Sequence, residues 1–422
     1  MNNIANKVAT LVLAGGQGTR LFPLTQSRCK PAVHFAGRYR LIDIPISCAL
    51  NSKFHNIYIL SQYLASGLNN HVTSTYHFDR LQGGHLECLT PEESDNHKVW
   101  FKGTADAVRK NINYLSTQDY EYFLILSGDQ LYNMDLNHFV DFGLKRNADL
   151  TIATLPIEKR QASRFGLMKI DSNHNITDFI EKPQDPNVLR HYKLDPSELK
   201  HKSDKAHYLA SMGIYFFKRD ALFKLLEEDD REDFGKHLIP NQIRKGSSYA
   251  YIYEGYWEDI GTIESYFNAN LGLTRGHIDL NFYSEHQPIH AHTTNLPAPR
   301  LTNARISDSI ICDGCIIKAK EITHSLIGLR SKIGENTIIR NSILIGNEFY
   351  RPPENSQLPE QFTIGSDCHI ENAIIDAHAH IGNNVTLTNK ENLQTYDSDL
   401  LYIRDGIIVI PSGATIPDSF HK

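Results

Sequence analysis

Ile327, Ile333, Ile339 and Ile345 recur at every sixth position, and Gly328, Gly334 and Gly346 follow three of them. Ile364 and Ile370 repeat the step, as do Ile375, Ile381 and Leu387. An inward aliphatic every six residues, with small turn residues beside it, predicts a parallel β-helix of hexapeptide coils. Each coil buries its aliphatics only against its neighbours, so several must stack. An ordinary β-sandwich with chance spacing is the alternative. The stretch NEFYRPPENSQLPEQF, Asn347 to Phe362, interrupts the period and is expected to loop out of one coil.

The chain ahead of this region has a different grain. Short apolar runs at Val8 to Leu13, Ile57 to Leu60, Tyr122 to Leu126, Leu150 to Leu155 and Gly213 to Phe217 alternate with helical patterns. Near-continuous apolar runs belong to strands covered on both faces of a largely parallel sheet. In GTADAVRKNINYL, Thr104 is placed to cap a helix presenting Ala105, Val108, Ile112 and Leu115 on one face. LNHFVDFGL repeats the pattern through Leu136, Phe139, Val140 and Leu144. The expected architecture is α/β. HQPIHAHTTNLPAPRL, rich in proline and polar residues, reads as a linker. The expected division is a first domain over residues 1–275, a linker over 276–303 and a hexapeptide domain over 304–422.

The first apolar run stops at two glycines, in LVLAGGQGTRLFPLT, Leu11 to Thr25. A dinucleotide-binding Gly-x-Gly-x-x-Gly fails because Leu21 stands at the third glycine position; a P-loop fails because no lysine follows Gly18. The loop keeps the physics of anion binding. Gly15, Gly16 and Gly18 let the backbone lie close against a ligand with its amides aimed at anionic oxygens. Arg20 adds a planar fork suited to phosphate. A plain turn after a strand is the competing reading. From Met1 to Ile42 there is no acidic residue, whereas Lys7, Arg20, Arg28, Lys30, Arg38 and Arg40 all lie there. In a chain of net charge −6, this clearing points to a small polyanionic ligand and argues against nucleic acid. Ligands of open α/β sheets sit beyond the carboxyl ends of the strands. The Gly15 to Arg20 loop, Gln62 and Asp129 each follow an apolar run, so they are expected at one crevice.

Other chemistries fare worse. The chain has no run of about 20 apolar residues, so no membrane span is expected. MNNIANK lacks the apolar core of a secretory signal and the Arg-rich character of a transit peptide, which makes a bacterial cytoplasm the expected location. Six scattered cysteines suit a reducing compartment, and Cys312 with Cys315 forms a lone CxxC. His290 with His292, and His378 with His380, would each share a strand face but lack an obvious third metal ligand. The acidic run EEDDRED, Glu227 to Asp233, reads as a solvated loop or helix end.

Past the opening loop come KPAVHF from Lys30, WFKGTADAV (Trp100 to Val108), LSGDQLYNMD (Leu126 to Asp135), EKP (Glu181 to Pro183), ASMGIYFF (Ala210 to Phe217), DFGKHLIP (Asp233 to Pro240) and YWEDIGT (Tyr256 to Thr262). Together these closely resemble the ADP-glucose pyrophosphorylases, or glucose-1-phosphate adenylyltransferases, of bacterial type, over nearly the whole chain. GGxGTR, KP and EKP mark sugar-nucleotide transferases in general; PAVHF, GTADAV, SMGIYFF, DFGK and YWEDIGT narrow the resemblance to the ADP-glucose branch. The resemblance implies a Rossmann-like nucleotidyltransferase domain with a mixed, mostly parallel sheet, followed by a C-terminal left-handed parallel β-helix. It implies transfer of the adenylyl group of ATP to α-D-glucose 1-phosphate, giving ADP-glucose and pyrophosphate for glycogen synthesis.

By the same resemblance, Leu13, Ala14, Gly15, Gly16, Gly18 and Thr19 wrap the nucleotide phosphates, and catalytic Arg20 and Lys30 neutralise them. Gln62 and Phe101 hold adenine, with Gly103 and Thr104 closing the pocket; the family often has tyrosine at the Phe101 position. Asp129, also catalytic, joins Asp259 in holding the expected cofactor Mg²⁺, a task for hard carboxylate oxygens. Lys182 grips the phosphate of glucose 1-phosphate, and Gly166, Glu181 and Ser211 contact the sugar. Each has a plainer alternative: a helix cap for Asp129, a surface turn for Lys182, a structural turn for Asp259. Arg38 and Arg40 divide between ordinary surface charge or a structural ion pair and an anion site for a regulator.

Ser27 stands where the fructose 1,6-bisphosphate-activated bacterial enzymes carry a lysine. Pro411 and Ser412 follow GIIVI where the 3-phosphoglycerate-activated enzymes carry another. Arg28, His34 and Arg40 match basic positions near the family's effector cleft, so the expectation is a regulated enzyme whose anionic activator differs or is weakly sensed. A homotetramer is expected. Rival readings are a non-catalytic regulatory subunit, a transferase using UTP, GTP or dTTP, and an acyltransferase built on the β-helix with His369, His378 or His380.

Overall fold

In the computed structural model, which describes residues 4–78, 83–91, 100–194, 208–276 and 280–422, the first apolar run is strand β1 (Val8–Ala14). Strands β2 (Asn56–Ser61), β3 (His85–Leu89) and β4 (Tyr122–Ser127) lie parallel to it in the order β4-β1-β2-β3. Both faces are covered, and the alternation of side chains shows it. Ala9, Leu11, Tyr58, Leu60, Phe123 and Ile125 enter one core. Val8, Val12, Ile57, Ile59, Leu124 and Leu126 enter the other. That two-sided burial is why these runs are continuously apolar.

Further strands make the sheet mixed and add a ribbon beside it. They are β5 (Gln130–Tyr132), β6 (Leu150–Ile157), β7 (Gly166–Ile170), β8 (Ile176–Glu181), β9 (Tyr208–Lys218), β10 (Ser248–Ile252) and β11 (Trp257–Asp259). The long β9 runs antiparallel to β4, β6 and β7; β10 runs parallel to β6; β5 and β11 form a separate antiparallel ribbon. The register of β9 against β6 shifts between Ser211 and Tyr215, where Gly213 takes a φ of 70°. Such a bulge re-aims side chains, and the left-handed φ suits glycine.

Helices α1 (Asp43–Asn51), α2 (Ala65–Thr75), α3 (Thr104–Lys110), α4 (Leu136–Lys145) and α5 (Arg219–Glu228) pack around the sheet, and α6 (Ile263–Thr274) packs against the C-terminal region. In α4, Leu136, Phe139 and Val140 are buried as expected, and Asp135 caps the start by accepting from the amide of Asn137. In α3 the expected cap is not made. Thr104 is already helical, and the carbonyl of Glu232 accepts the amides of Ala105 (2.9 Å) and Asp106 (3.3 Å) instead.

The C-terminal region is a three-sided parallel β-helix. Ile327, Ile333 and Ile339 fall on successive sides, paired with Leu344, Ile317 and Ile370 of adjacent coils, and all point into one aliphatic core. Six residues is therefore one side and its corner. Left-handed corner residues such as Asn336, Asn341, Asn372 and Asn384 turn the chain between sides. The residues from Asn347 to Gln361 leave the coil without strand structure, as their break in the period requires. Within the expected linker over 276–303, residues 277–279 lie outside the described residues. Its remainder packs closely: Tyr39 stacks on Phe282 at 4.9 Å, the His290 amide donates to Ser47 Oγ (2.8 Å), and Arg300–Leu301 already pairs with Ile316–Ile317.

One hydrophobic cluster joins the two regions. Leu21, Leu24, Val33 and Phe35 from the glycine loop and its continuation meet Tyr266 and Phe267 of α6 and Leu326, Ile343, Ile374 and Val409 of the β-helix. The chain carrying Arg20 and Lys30 is thus seated on the second domain.

Candidate active site

A cleft of about 820 Å³ opens beyond the carboxyl ends of β1 and β4. It collects Leu13, Gly15, Gly16, Gln62, Phe101, Gly103 and Thr104; Arg20, Lys30, Asp129 and Asp259; and Gly166, Glu181, Lys182 and Ser211. Three residues expected at the nucleotide do not line it. Ala14 is buried at the end of β1, Thr19 begins the following turn, and Gly18 lies beneath Thr25 and Lys30. A Cβ on Gly18 would sit 2.7 Å from that of Lys30, so this glycine lets the loop close over the lysine.

Lys30 opens a short 3₁₀ turn and is itself buried. Its ammonium nitrogen lies 2.7 Å from Asp129 Oδ2 and 3.6 Å from Asp259 Oδ1. Asp129 follows β4, and Ser127 Oγ donates to its other oxygen. Asp259 ends β11, opposite Gln130 in β5. Burial opposes charge on Lys30, but Asp129 and Asp259 outweigh it and hold the ammonium's pKa above its ordinary value. Burial likewise opposes charge on Asp129, and Lys30 with the Ser127 hydroxyl outweighs it, holding that carboxyl below its usual range. Arg20 stands across Gly261 from Asp259: a Cβ on that glycine would lie 3.2 Å from Asp259 Oδ2 and 3.6 Å from the Arg20 guanidinium.

This centre also bears on the expected cofactor. Among the described residues no cluster of three or more His, Cys, Asp or Glu side chains is arranged to hold a metal. Asp129 and Asp259 offer two hard oxygen donors that already converge on one cation. That donor set fits Mg²⁺, which binds through one or two carboxylates and takes its other ligands from phosphates and water.

On one side, Gln62 bonds backbone. Its Oε1 accepts the Phe101 amide (2.7 Å), and its Nε2 donates to the carbonyls of Gly15 (3.2 Å) and Phe101 (3.1 Å). Gln62 therefore ties the glycine loop to the Phe101 wall. The ring of Phe101 is mostly buried, with Lys110 Nζ 5.9 Å from its centroid.

On the other side, Glu181 ends β8 and pairs with Lys182 at 3.2 Å. Two glycines make room for its carboxylate, since a Cβ on Gly166 or Gly235 would lie 2.6 or 2.8 Å from Glu181 Oε2. Burial raises the Glu181 pKa, and the nearby Lys182 charge only partly offsets it. Lys182 has a φ of 47° and an ammonium that is largely exposed at the cleft. The bulge in β9 supplies Ser211, Met212 and Gly213.

Sequence reasoning missed several lining residues. Asp233, Phe234 and Gly235 form part of the wall, as do Tyr215, Arg164 and Trp257. The run ending at Asp233 is therefore not simply solvated. Glu227 and Glu228 end α5 as expected, but Asp229 is buried, bonded to Arg231 and to Asn241 (3.0 Å). The DFGK stretch was the available signal for Asp233.

Arg28, His34 and Arg40 stand apart from the cleft, at the boundary with the β-helix. Arg28 pairs with the buried Asp376 at 2.8 Å, and Arg40 with Glu348 at 2.9 Å. Arg38 pairs with Asp313. Arg38 and Arg40 thus make structural ion pairs between domains, one of the readings their sequence left open. His34 Nδ1 is buried without a hydrogen-bond partner, and burial, reinforced by Arg40 and Arg28, pushes its pKa well below the ordinary value. Three of the four paired histidines are likewise engaged: His290 Nε2 lies 3.2 Å from Asn51 Oδ1, His378 stacks on Phe349 at 4.5 Å, and His380 Nδ1 lies 3.0 Å from Thr363 Oγ1. Burial raises the thiols of Cys312 to about 12 and Cys315 to about 11, which keeps them protonated near neutral pH. Among the described residues no helix is long and apolar enough to cross a membrane.

A family model described as nucleotidyl transferase matches residues 9–276, and a second, described as the GLGC left-handed parallel beta-helix domain, matches residues 294–420. The first match spans the whole cleft with its glycine loop, paired aspartates and EKP lysine; the second gives the hexapeptide coils their hand. The chain belongs to the nucleotidyl transferase family and carries a GLGC left-handed parallel β-helix as its second domain.

Proposed function

We propose that the protein is an ADP-glucose pyrophosphorylase, transferring the adenylyl group of ATP to α-D-glucose 1-phosphate with release of pyrophosphate. The observation that carries this reading is the convergence of Lys30 on Asp129 and Asp259 in a cleft that also holds a glycine loop and the Glu181–Lys182 pair. The pairing of a nucleotidyl transferase domain with a GLGC β-helix supports the ADP-glucose branch over other sugar nucleotides.

In the proposed reaction a phosphate oxygen of glucose 1-phosphate attacks the α-phosphorus of ATP in line. A new P–O bond forms there as the bond to the β-phosphate bridging oxygen breaks, and pyrophosphate leaves with that electron pair. Two anions must approach, so charge screening and alignment carry most of the barrier reduction. Gly15 and Gly16 bring backbone amides to the nucleotide phosphates, and Arg20 and Lys30 supply fixed positive charge. Lys182 holds the sugar phosphate, while Glu181 and Ser211 orient the sugar. Asp129 and Asp259 would hold Mg²⁺, which when bound screens the phosphate charges.

The test is a panel of ATP, UTP, GTP and dTTP against glucose 1-phosphate and other sugar 1-phosphates with Mg²⁺, read as pyrophosphate release. ATP with glucose 1-phosphate should be fastest by at least tenfold; a preference for another nucleotide, or no turnover, would overturn the reading. Regulation by an anion at Arg28, His34 and Arg40 belongs to the same proposal, supported by the partnerless His34 Nδ1 beside two arginines. Rates that stay flat across glycolytic phosphates, AMP and phosphate would remove it. A homotetramer in a bacterial cytoplasm, serving glycogen synthesis, completes the reading. The edge strand Arg300–Leu301 of the β-helix leaves Leu301 half exposed, which invites a subunit contact. A stable monomer by light scattering would contradict the tetramer.

A further inference from the structure

The two walls of the cleft are joined to each other by one junction. Phe101 to Thr104 form the wall beside the glycine loop, and Asp233 to Gly235 form the wall beside Glu181. Thr104 Oγ1 accepts the Phe234 amide at 3.0 Å and donates to Asp233 Oδ2 at 3.4 Å. One residue on, the Glu232 carbonyl receives the amides of Ala105 and Asp106. The contact is close enough to require glycine at 103, where a Cβ would lie 2.3 Å from the Glu232 carbonyl oxygen. Farther along α3, the Arg109 guanidinium donates to the carbonyls of Leu226 (3.1 Å), Asp229 (2.7 Å) and Arg231 (2.9 Å). The segment from Leu226 to Phe234 is thus fastened along the length of α3.

Both ends of this junction reach substrate-side groups. Gln62 bonds the Phe101 backbone to Gly15 at one end, and Gly235 abuts the Glu181 carboxylate at the other. We infer that Thr104 is a positioning residue that couples the two halves of the cleft, so that occupation of the nucleotide side tightens the sugar-phosphate side and the reverse. Its hydroxyl is committed to the opposite wall rather than to a nucleotide. The junction transmits order: a ligand that fixes Phe101 to Thr104 fixes Asp233 to Gly235 at the same time, and the second ligand then meets a wall already in place. The inference rests on the adenylyltransferase reading for the identity of the two ligands.

Calorimetric titration tests it. Glucose 1-phosphate is titrated into the full chain with Mg²⁺, with and without saturating α,β-methylene-ATP, which cannot release pyrophosphate. The ratio of the two dissociation constants is the readout. Wild type should show a ratio within the usual 5–150-fold range for coupled sites. Thr104→Val should bring the ratio to within about twofold of unity, and Thr104→Ser, which keeps the hydroxyl, should restore it. Loss of a simple pocket contact would weaken nucleotide binding equally with and without sugar phosphate and leave the ratio intact. A wild-type ratio of one, an unchanged ratio in Thr104→Val, or failure of Thr104→Ser to restore it would overturn the coupling role. Binding of each ligand alone to wild type reports separately on the adenylyltransferase reading: a protein that binds neither refutes that reading and the coupling with it.

Discussion

Replacing Lys30 with methionine keeps the length of the side chain and removes its charge, leaving Asp129 and Asp259 facing each other across the vacated position. At 2.7 Å and an effective dielectric of 20, the Lys30–Asp129 attraction is about 6 kcal/mol before desolvation. Breaking a fully buried pair typically costs about 3–5 kcal/mol. Here Lys30 is 9% exposed but Asp129 and Asp259 are 27% and 22% exposed, so water reaches the stranded carboxylates. We therefore expect Lys30→Met to destabilise the first domain by about 2–3 kcal/mol. Asp129→Asn should cost less, about 1–2 kcal/mol, because Lys30 keeps Asp259 at 3.6 Å. The double variant should be more stable than the sum of the two losses by about 1–2 kcal/mol, the mark of a direct pair.

Urea unfolding followed by tryptophan fluorescence is a suitable assay, because Trp100 and Trp257, the two tryptophans of the chain, both lie in the first domain. The pH dependence adds a second check. Asp129 has a depressed folded pKa, so its contribution is present above its ordinary value of 3.8 and is lost as pH falls through the folded value. Lys30 has a raised folded pKa, so its contribution is complete below its ordinary value of 10.5 and is lost as pH rises beyond that. The Lys30→Met deficit should therefore stay level between about pH 5 and 10 and shrink in acid. Losses that add within about 0.5 kcal/mol would refute the pairing.

Lys182→Ala should raise the KM for glucose 1-phosphate by about tenfold or more with little change for ATP; a larger effect on ATP in initial-rate assays would mean the phosphate assignments are exchanged. Glu181→Gln should impair sugar-phosphate binding yet unfold at no lower temperature than wild type, because burial raises the Glu181 pKa. A raised carboxyl pKa penalises the folded state above that pKa and not below the ordinary value of 4.5, so any gain in melting temperature should fade in acid; a gain that grows in acid would contradict this. Arg28→Met strands Asp376, which is 1% exposed, and should cost about 3–5 kcal/mol, seen as a fall in melting temperature; a wild-type melting curve would show that the interdomain pair contributes nothing.

The parts of this molecule that a linear reading reaches are those written in periods and glycines. A six-residue aliphatic step with small turn residues beside it fits one side and corner of a coil, so Ile327, Ile333 and Ile339 announced its three sides. Continuous apolar runs announced strands buried on both faces, and their carboxyl ends carry Gly15, Gln62 and Asp129 to one cleft. The resemblance in motifs brought Lys182 and Asp259 to the same place. What stayed hidden depends on partners far away in the chain. Thr104 looks like a cap until Glu232 is seen occupying that role. Asp233 looks like the end of a solvated acidic run until Gly103 admits its neighbour at close range. Gln62 is expected beside adenine, but its bonds to the backbone of both Gly15 and Phe101 join segments that the sequence sets far apart. The carboxylates that meet Arg28 and Arg40 in ion pairs, Asp376 and Glu348, come from the other domain, more than 300 residues along the chain.

Those two ion pairs bear on why a transferase domain keeps a β-helix at its side. The backbone from Gly18 to Lys30 places Arg20 and Lys30 in the cleft and, between them, buries Leu21 and Leu24 against a cluster that includes Leu326, Ile343 and Ile374 of the coils. Arg28, two residues before Lys30, is held by Asp376 from one of those coils. The position of the lysine that neutralises Asp129 and Asp259 is therefore set partly from outside its own domain. A packed interface with ion pairs has discrete arrangements rather than a continuum, so under the proposed regulation a ligand that competes for Arg28 or Arg40 acts on the seat of Lys30 and Arg20 without entering the cleft. Such a ligand would need to bind more strongly than the intramolecular carboxylates it displaces, which makes Asp376 and Glu348 the residues that set its threshold concentration.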